Sequence, residues 1–194
     1  MAAPEILELT ADDDQACIER CLAGDPEAFR PLVERYAPLI HRLVGRLAPA
    51  ADREELAQQT FIAAYERLAQ YAGKARFSTW LCQIAVNKVR DWARAARRSP
   101  AGIDIDEVDI PDQDGEGRDR GPESLALAGE RAAALARVLA RLSAADRELV
   151  VLRYVLEEDY ATVARVLGIS VGAAKVRGLR VRQLLRKRLA EEGL

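Results

Sequence analysis

The pattern of apolar and polar residues in the segment 77–98, FSTWLCQIAVNKVRDWARAARR, predicts one helix with two different faces. At 3.6 residues per turn, one face is an apolar stripe that suits a protein core. The opposite face carries amides, arginines and one aromatic ring. Arginines can neutralise phosphates, amides can hydrogen-bond base edges and a ring can stack on an unpaired base, so this face suits nucleic acid. A solvated basic helix with one half-buried tryptophan explains the pattern as well. The apolar stripe consists of Leu81, Ala85, Val89, Trp92 and Ala96, and the polar face of Trp80, Gln83, Asn87, Arg90, Arg94 and Arg98.

Two further helices are expected before this segment. Asp25 followed by Pro26 combines an N-cap carboxylate with a proline at the first helical position, which is a common helix start. Pro31 and Pro38 should then kink or divide that helix. The next predicted helix covers residues 54–71. No stretch alternates with strand periodicity for long enough to predict a sheet, so the expected fold class is all-α.

The C-terminal part of the chain has the start and stop signals of successive helices. Side chains that cap helix N-termini mark the starts, and a glycine suited to a left-handed C-cap marks one end. Two helices separated by a glycine-containing turn of about four residues have the spacing of a helix-turn-helix. The signals are Ser143 with Asp146 for a helix that ends near Leu156, Asp159 for the helix Tyr160–Leu167, Gly168 at its C-cap, and Ser170 for a final helix over 171–189.

Charge separates the chain into four segments, although the net charge is only −2. Residues 1–24 carry −5, 25–98 carry +5, 99–122 carry −6 and 123–194 carry +4. The segment 99–122 is rich in Asp, Gly and Pro and lacks helical periodicity, so it is interpreted as an acidic flexible linker. We therefore expect an acidic N-terminal segment with the start of the first helix, followed by two small helical domains over 25–98 and 123–194.

Several classes of protein are disfavoured by what the sequence contains. It has no apolar run long enough to span a membrane and begins with acidic residues, so we expect a cytoplasmic protein without stable membrane insertion. His41 is the single histidine and no CxxC occurs, so no metal site or cofactor is expected, and Cys17, Cys21 and Cys82 are interpreted as buried thiols. A P-loop and a clustered carboxylate site are also missing, which argues against an enzyme.

The final predicted helix has the character of a DNA-reading helix. Seven basic residues and no acidic one occur between residues 171 and 188. Val176 and Leu179 lie on the outward arc, where they could touch thymine methyl groups. Gly178 lies within the apolar stripe, so we infer that another helix, Tyr160–Leu167, passes very close there. A solvated C-terminal helix is the alternative, and the capped helix and turn before this one favour DNA binding. The apolar stripe consists of Ala174, Gly178, Val181 and Leu185.

The two halves together resemble bacterial RNA polymerase sigma factors of the extracytoplasmic-function (ECF) type, in the sigma-70 family. Region two of that family is similar to GDPEAFRPLVERY, EELAQQTFIAAYERLAQY and the segment 77–98, and region four is similar to residues 142–189. The pattern FxxWLxxIAxN at residues 77–87 is the most specific feature. The resemblance implies a transcription initiation factor that binds core RNA polymerase and promoter DNA. It also implies a masking anti-sigma factor.

The resemblance further implies roles for individual residues. One helix would bind core polymerase, although Gln59 stands where the family usually has an acid. The first domain would melt the start-proximal promoter element and capture a flipped base, and the second would read the upstream element as duplex. The core-binding residues would be Glu55, Leu56, Gln58, Gln59, Phe61 and Tyr65; the start-proximal residues Lys74, Arg76, Phe77, Trp80, Asn87, Arg90 and Arg94; and the upstream residues Ser170, Lys175, Val176, Arg177, Leu179, Arg180 and Arg182.

Two other functions are compatible with parts of this pattern. A stand-alone helix-turn-helix repressor or activator would bind promoter duplex without polymerase. An enzyme such as a nuclease would require divalent metal for cleavage of DNA.

Overall fold

A computed structural model of the protein describes residues 11–98, 137–139 and 141–191. Within these residues the regular structure is helical and no strand occurs, as the sequence pattern predicts. The linker 99–122 lies outside the described residues. The helices in chain order are α1 (Ala11–Leu22), α2 (Arg30–Leu47), α3 (Arg53–Glu66), α4 (Phe77–Arg98), α5 (Ala144–Val150), α6 (Tyr160–Leu167) and α7 (Val171–Glu191).

The first three helices after α1 follow the predicted order with local differences. The carboxylate of Asp25 accepts a hydrogen bond from the Glu27 amide at 3.2 Å, and it caps a short 3-10 turn, Pro26–Phe29, that leads into α2. Pro31 lies in the first turn of α2, where its missing N–H costs little. Pro38 does not divide α2, which continues through it to Leu47. Helix α4 has the predicted bounds, whereas α3 ends at Glu66 and a 3-10 turn, Leu68–Gln70, follows it.

A buried polar cluster fastens α1 to α2. Asp14 of α1 is 8% exposed, and its carboxylate accepts hydrogen bonds from the Arg35 guanidinium and the Tyr36 hydroxyl of α2. Burial, and then the hydrogen bond to Asp14, raises the pKa of Tyr36. A buried carboxylate is stable only when its charge is compensated in this way. The ion pair with the Asp14 carboxylate compensates the charge of the Arg35 guanidinium. The Nε atom of the same guanidinium is buried and makes no hydrogen bond.

The C-terminal helices use the caps expected from the sequence. The Ser143 hydroxyl accepts from the Asp146 amide at 3.2 Å, and the Asp159 carboxylate accepts from the Thr162 amide at 2.7 Å. Gly168 ends α6 in the left-handed conformation with φ 70°, and Ser170 caps α7 by accepting from the Ala173 amide at 3.1 Å. Helix α5 continues as a π-helical turn, Val151–Val155, which the sequence pattern did not predict.

The apolar cores of the two halves are continuous. Buried residues of α5, the π-helical turn and α6 belong to the same cluster as the buried residues of α2, α3 and α4. Helix α6 packs on α4, and the π-helical turn packs on α2. Full burial of one large aliphatic side chain contributes about 1.5–3 kcal/mol, so several such residues hold the halves together. The residues contributed by the second half include Leu149, Leu152, Val163, Val166 and Leu167.

Candidate nucleic-acid interface

An aromatic cluster occupies the start of α4. The Phe77 ring is 2% exposed and lies 5.5 Å from the rings of both Tyr36 and Tyr71, measured between centroids. The half-buried Trp80 ring lies 5.6 Å from Phe77 and 5.3 Å from Tyr71. Trp80 is therefore supported from behind by other rings and is not isolated among charged side chains. Such edge and tilted contacts stabilise and orient aromatic rings.

The loop before α4 is attached to the same aromatic cluster. The Tyr71 hydroxyl donates a hydrogen bond to the Ala75 carbonyl at 2.6 Å, which holds the loop 72–76 against α4. Gly73 adopts φ 67°, a left-handed conformation that glycine accepts without strain. Lys74 and Arg76 are both exposed on this loop. The loop thus presents two exposed cations shortly before the start of α4.

The polar face of α4 follows a seven-residue spacing. Trp80, Asn87 and Arg94 recur every seven residues, which is close to two helical turns, so they lie on one side of α4. Asn87 and Arg94 are exposed, and Arg94 pairs with the exposed Asp91 at 2.9 Å. Exposed pairs of this kind are weak and can exchange for another anion. This side of α4 therefore offers a ring, an amide and a cation in a row.

Arg90 and Phe77 are placed differently from the other predicted start-proximal residues. Phe77 is buried, so in this structure its ring supports Trp80 and does not face solvent. Arg90 turns towards the second half and forms a double hydrogen bond with Glu148 of α5. Its pKa is raised, first by this hydrogen bond. No local pattern indicates this partner, because 58 residues separate the two side chains.

The surface of α3 combines exposed apolar and polar side chains. Glu55 and Gln58 are exposed, and the Gln59 amide donates to the Glu55 carboxylate at 2.8 Å. Tyr65 is exposed and its ring meets Phe29 edge-on at 5.2 Å. Ile62 is also exposed, although it was not among the predicted binding residues.

Two of the predicted core-binding residues contribute less surface. Leu56 is 3% exposed and belongs to the core, and Phe61 is only partly exposed. A cleft between α3 and α4 adds residues that were not predicted for this site. Trp92 was assigned to the apolar stripe of α4, and the structure leaves it half-buried in the wall of this cleft. The cleft is lined by Asp52, Glu55, Leu56, Gln59, Lys88, Asp91, Trp92 and Ala95.

Helix α7 presents its cations and two apolar side chains to solvent. Val176 and Leu179 are 57% and 55% exposed, as expected for the outward arc. Lys175, Arg180 and Arg182 are exposed, and the Arg182 guanidinium lies 3.3 Å from the Tyr154 hydroxyl. The outward arc can therefore enter a major groove without rearrangement of its apolar residues.

Two further residues of the predicted reading surface already have partners. Arg177 lies 3.8 Å from the carboxylate of Asp146, and the Ser170 hydroxyl is engaged in capping α7. Asp146 itself accepts from the Ser143 hydroxyl at 2.7 Å. The Arg177–Asp146 contact ties the second turn of α7 to the start of α5.

The close helix crossing predicted at Gly178 is present. A Cβ atom at Gly178 would lie 2.4 Å from the Tyr160 hydroxyl oxygen and 2.9 Å from its Cε1 atom. Tyr160 is the first residue of α6, and the Arg153 guanidinium stacks on its ring at 5.3 Å. Only glycine allows this approach without movement of the tyrosine.

Other kinds of site find little support in the part of the chain that the structure describes. No group of three or more His, Cys, Asp or Glu residues there could hold a metal ion. Burial raises the pKa of the Cys82 thiol to about 12 and also raises that of Cys21, so both remain protonated at neutral pH. Among the described helices, none has the length and apolar content needed to cross a bilayer.

The fold defines an all-helical protein with a helix-turn-helix, and α4 adds a polar face on which a half-buried aromatic ring is supported by other rings. The Sigma-70 region 2 family model matches residues 32–99, and the Sigma-70 region 4 model matches residues 132–185. The ECF RNA polymerase sigma-E factors of Salmonella typhimurium LT2 and Escherichia coli K12 are each 31% identical over 175 residues, which cover 89% of this chain and 92% of the relative. That of Haemophilus influenzae is 29% identical and covers 91% of this chain and 95% of the relative.

Two solved structures have the same fold. CnrH, in complex with the cytosolic domain of CnrY, superposes with a TM-score of 0.65 at 26% identity, covering 94% of this chain and 99% of CnrH. The sigma factor RpoE of Bartonella quintana, in complex with the anti-sigma factor NepR, gives a TM-score of 0.66 at 21% identity over 84% of this chain and 96% of RpoE. The chain belongs to the sigma-70 family, in its ECF group. It is therefore a promoter-directing transcription initiation factor, and the stand-alone repressor or activator is not favoured.

Proposed function

We propose that this sigma factor divides promoter recognition between its two halves. The half containing α5, α6 and α7 reads the upstream promoter element as duplex DNA. The half containing α1 to α4 binds core RNA polymerase and holds the start-proximal element as single-stranded DNA. Both tasks are binding tasks that need no covalent step, metal or cofactor, and a cytoplasmic location follows from where the template and the polymerase are found.

Duplex reading is assigned to α7 because of its exposed outward arc. Arg180, Lys175 and Arg182 are exposed, and Arg182 and Arg177 can exchange Tyr154 and Asp146 for a phosphate or a base. A bidentate arginine–guanine contact discriminates by about 1–3 kcal/mol. Val176 and Leu179 supply the apolar contacts that thymine methyl groups accept.

Capture of single-stranded DNA is assigned to the start of α4. The observation that carries this assignment is the half-exposed Trp80 ring, which rests on Phe77 and Tyr71. The preceding loop adds two exposed cations, Lys74 and Arg76. Stacking of one base on an aromatic ring contributes about 1–3 kcal/mol, which offsets the few kcal/mol needed to extrude a base. Asn87 can hydrogen-bond a base edge, and Arg94 can neutralise a phosphate.

Core polymerase binding is assigned to α3 and the cleft beside α4. Tyr65 and Ile62 expose apolar surface, and Glu55 and Gln58 add polar groups around it. An apolar centre with a polar rim is the usual composition of a protein interface. The buried Leu56 shapes this surface from below, and the cleft residues Lys88 and Trp92 extend it.

An anti-sigma factor is the further partner that we propose. CnrH, which this chain resembles over nearly its whole length, was solved in complex with the cytosolic domain of CnrY. The exposed surfaces of α3 and α7 offer such a partner the same groups that polymerase and DNA would use. A protein of that kind would therefore compete with transcription.

Reconstituted transcription tests the proposal. Purified core RNA polymerase with this protein should give promoter-specific run-off transcripts from a genomic promoter library, whereas the protein alone should bind duplex weakly. A tight, specific footprint by the protein alone, together with no start-site selection on adding it to core polymerase, would contradict the proposed function.

A further inference from the structure

One buried carboxylate connects α1 to the aromatic cluster at the start of α4. The Asp14 carboxylate accepts hydrogen bonds from the Tyr36 hydroxyl and the Arg35 guanidinium, and only 8% of Asp14 is exposed. The Tyr36 ring lies 5.5 Å from the Phe77 ring, at an interplanar angle of 50°. Phe77 in turn lies 5.6 Å from Trp80. A continuous series of contacts therefore runs from α1 to the ring assigned to base stacking.

The second ring behind Trp80 is also linked to α1. Burial raises the pKa of the Tyr71 hydroxyl, and the negative charge of Asp14 raises it further. Helix α1 packs on the 3-10 turn Leu68–Gln70, which ends directly before Tyr71. The Tyr71 ring lies 5.3 Å from Trp80, and its hydroxyl holds the loop through the Ala75 carbonyl. Both rings that contact Trp80 are therefore connected to α1, by separate routes.

The orientation of a half-buried ring determines how well a base can stack on it. A ring that must be ordered when the base binds loses conformational entropy at that moment, and this loss weakens binding. Contacts between aromatic rings are individually weak. A hydrogen-bonded ion pair in a core fixes one packing arrangement more firmly, because any shift would leave buried charge without its partner. The Asp14–Arg35 pair is the described ion pair nearest in contact to this ring cluster, through Tyr36.

We propose that Asp14 is a positioning residue for single-strand capture, which holds the ring cluster in the arrangement in which Trp80 accepts a base. The proposal rests on the function assigned to Trp80, and it adds α1 to the parts of the molecule that hold the melted strand. Asp14 is buried and does not touch DNA, so it acts only through Tyr36, Tyr71 and Phe77. Loss of its charge should therefore change the environment of Trp80 and the binding of single-stranded DNA together.

Tryptophan fluorescence measures the first of these effects in the full-length chain. The sequence has two tryptophans, so Trp92→Phe leaves Trp80 as the only one. In this background, Asp14→Asn should raise the acrylamide quenching constant about twofold, because a loosened half-buried ring exposes more of its surface. Asp13→Asn is the matched control and should leave quenching unchanged. Asp13 also lies in the first turn of α1, so both variants lose the same charge near the helix N-terminus.

A milder variant separates positioning from loss of the fold. Tyr36→Phe removes the hydroxyl that donates to Asp14, but it keeps the ring beside Phe77 and the ion pair between Asp14 and Arg35. It should raise quenching of Trp80 in the same direction as Asp14→Asn, by a smaller factor. Far-UV circular dichroism measures the helical content of every variant. Where Asp14→Asn loses helical content, Tyr36→Phe alone decides the outcome.

Binding of single-stranded DNA by the holoenzyme measures the consequence for capture. The probe is a fluorescently labelled oligonucleotide that carries the start-proximal element of a promoter selected by the wild-type holoenzyme. Trp80→Ala should weaken its binding about tenfold and Asp14→Asn about threefold or more, whereas Asp13→Asn should leave it unchanged. In a Trp80→Ala background, Asp14→Asn should cause no further loss, because a positioning residue acts only through the ring that it positions.

A merely structural role of Asp14 would give a different pattern. Loss of folded protein would weaken binding by the same factor whether or not Trp80 is present. Equal losses from Asp14→Asn in the two backgrounds would therefore overturn the proposal. Unchanged quenching of Trp80 in Tyr36→Phe, or equal effects of Asp13→Asn and Asp14→Asn on either measurement, would overturn it as well.

Failure of this proposal is distinguishable from failure of the proposed function. If the wild-type holoenzyme selects promoters but Asp14→Asn behaves as Asp13→Asn does, Asp14 has no positioning role and the function stands. If the wild-type holoenzyme selects no promoter, the proposed function is wrong, and a role of Asp14 in strand capture is overturned with it.

Discussion

Replacement of Gly178 by alanine should have opposite effects on stability in two backgrounds. A Cβ atom at this position would lie 2.4 Å from the Tyr160 hydroxyl oxygen and 3.0 Å from Cζ, so the ring must move. Overpacking of this kind costs about 1–3 kcal/mol. Alanine in place of glycine within a helix contributes about 1 kcal/mol in the favourable direction. The net effect in the wild-type chain is therefore a destabilisation of up to about 2 kcal/mol.

The sign should change when the tyrosine ring is removed. In a Tyr160→Ala background the steric cost disappears and only helix propensity remains, so Gly178→Ala should stabilise by about 1 kcal/mol. The coupling between the two positions is then about 1–3 kcal/mol, which a double-mutant cycle resolves. Urea denaturation gives the free energies of unfolding, and a change of about 1 kcal/mol corresponds to about 2–4 °C in a thermal melt.

A second glycine in α7 supplies the control. A Cβ atom at Gly172 would meet only the Ser170 hydroxyl, at 3.9 Å. Gly172→Ala should therefore raise stability by up to about 1 kcal/mol, independently of Tyr160. If Gly178→Ala changed stability equally in the two backgrounds, the inferred contact with Tyr160 would be refuted as the reason for this glycine.

Three other outcomes follow from the described contacts. The hydrogen bond from the Thr162 amide lowers the pKa of Asp159 below its ordinary value of 3.8. The stability that this cap adds to the folded protein is therefore present above the unfolded-state pKa and is lost as pH falls through the lower folded-state pKa. Asp159→Asn keeps a capping side chain without titration, and its thermal melting temperature should fall less steeply than that of the wild type below about pH 4. Arg180→Ala should weaken holoenzyme footprints on the upstream element about tenfold or more, whereas Arg186→Ala should weaken binding similarly on all sequences. A sequence-specific loss with Arg186→Ala and a uniform loss with Arg180→Ala would place the reading residues elsewhere. Trp80→Ala should reduce permanganate reactivity of promoter thymines more than it reduces polymerase recruitment, Trp80→Phe should retain most of that reactivity, and equal loss in both assays would argue against a stacking role.

Helix bounds in this protein could be predicted where local chemistry determines them. Asp159 and Ser170 cap the helices that they were expected to cap, and Gly168 ends α6 in the left-handed conformation. Each of these signals depends on residues within four positions of it, so the sequence alone contains the information. The close crossing at Gly178 could also be inferred, because a glycine inside an apolar stripe lowers helix propensity and leaves room for a neighbouring helix to approach.

Features that depend on distant parts of the chain could not be predicted in this way. Val86 lies outside the apolar stripe of α4 and is nevertheless fully buried, in a core to which the second half also contributes. The partner of Arg90 is 58 residues away in the chain. Phe77 was assigned to the DNA surface from the family resemblance, whereas packing against Tyr36 and Tyr71 places it in the core. The roles of the individual DNA-facing residues remain predictions.

The Asp14 cluster sets a practical limit on how far this protein can be shortened. A version that begins after α1 would expose the underside of α2 and leave Arg35 and Tyr36 without the carboxylate that both now share. Removal of α1 would take away Asp14, which forms the ion pair with this guanidinium. The guanidinium already has one buried nitrogen, Nε, without a hydrogen bond. Tags and fusions should therefore be joined upstream of α1, and any screen of truncated versions for crystallisation or partner capture should retain that helix intact.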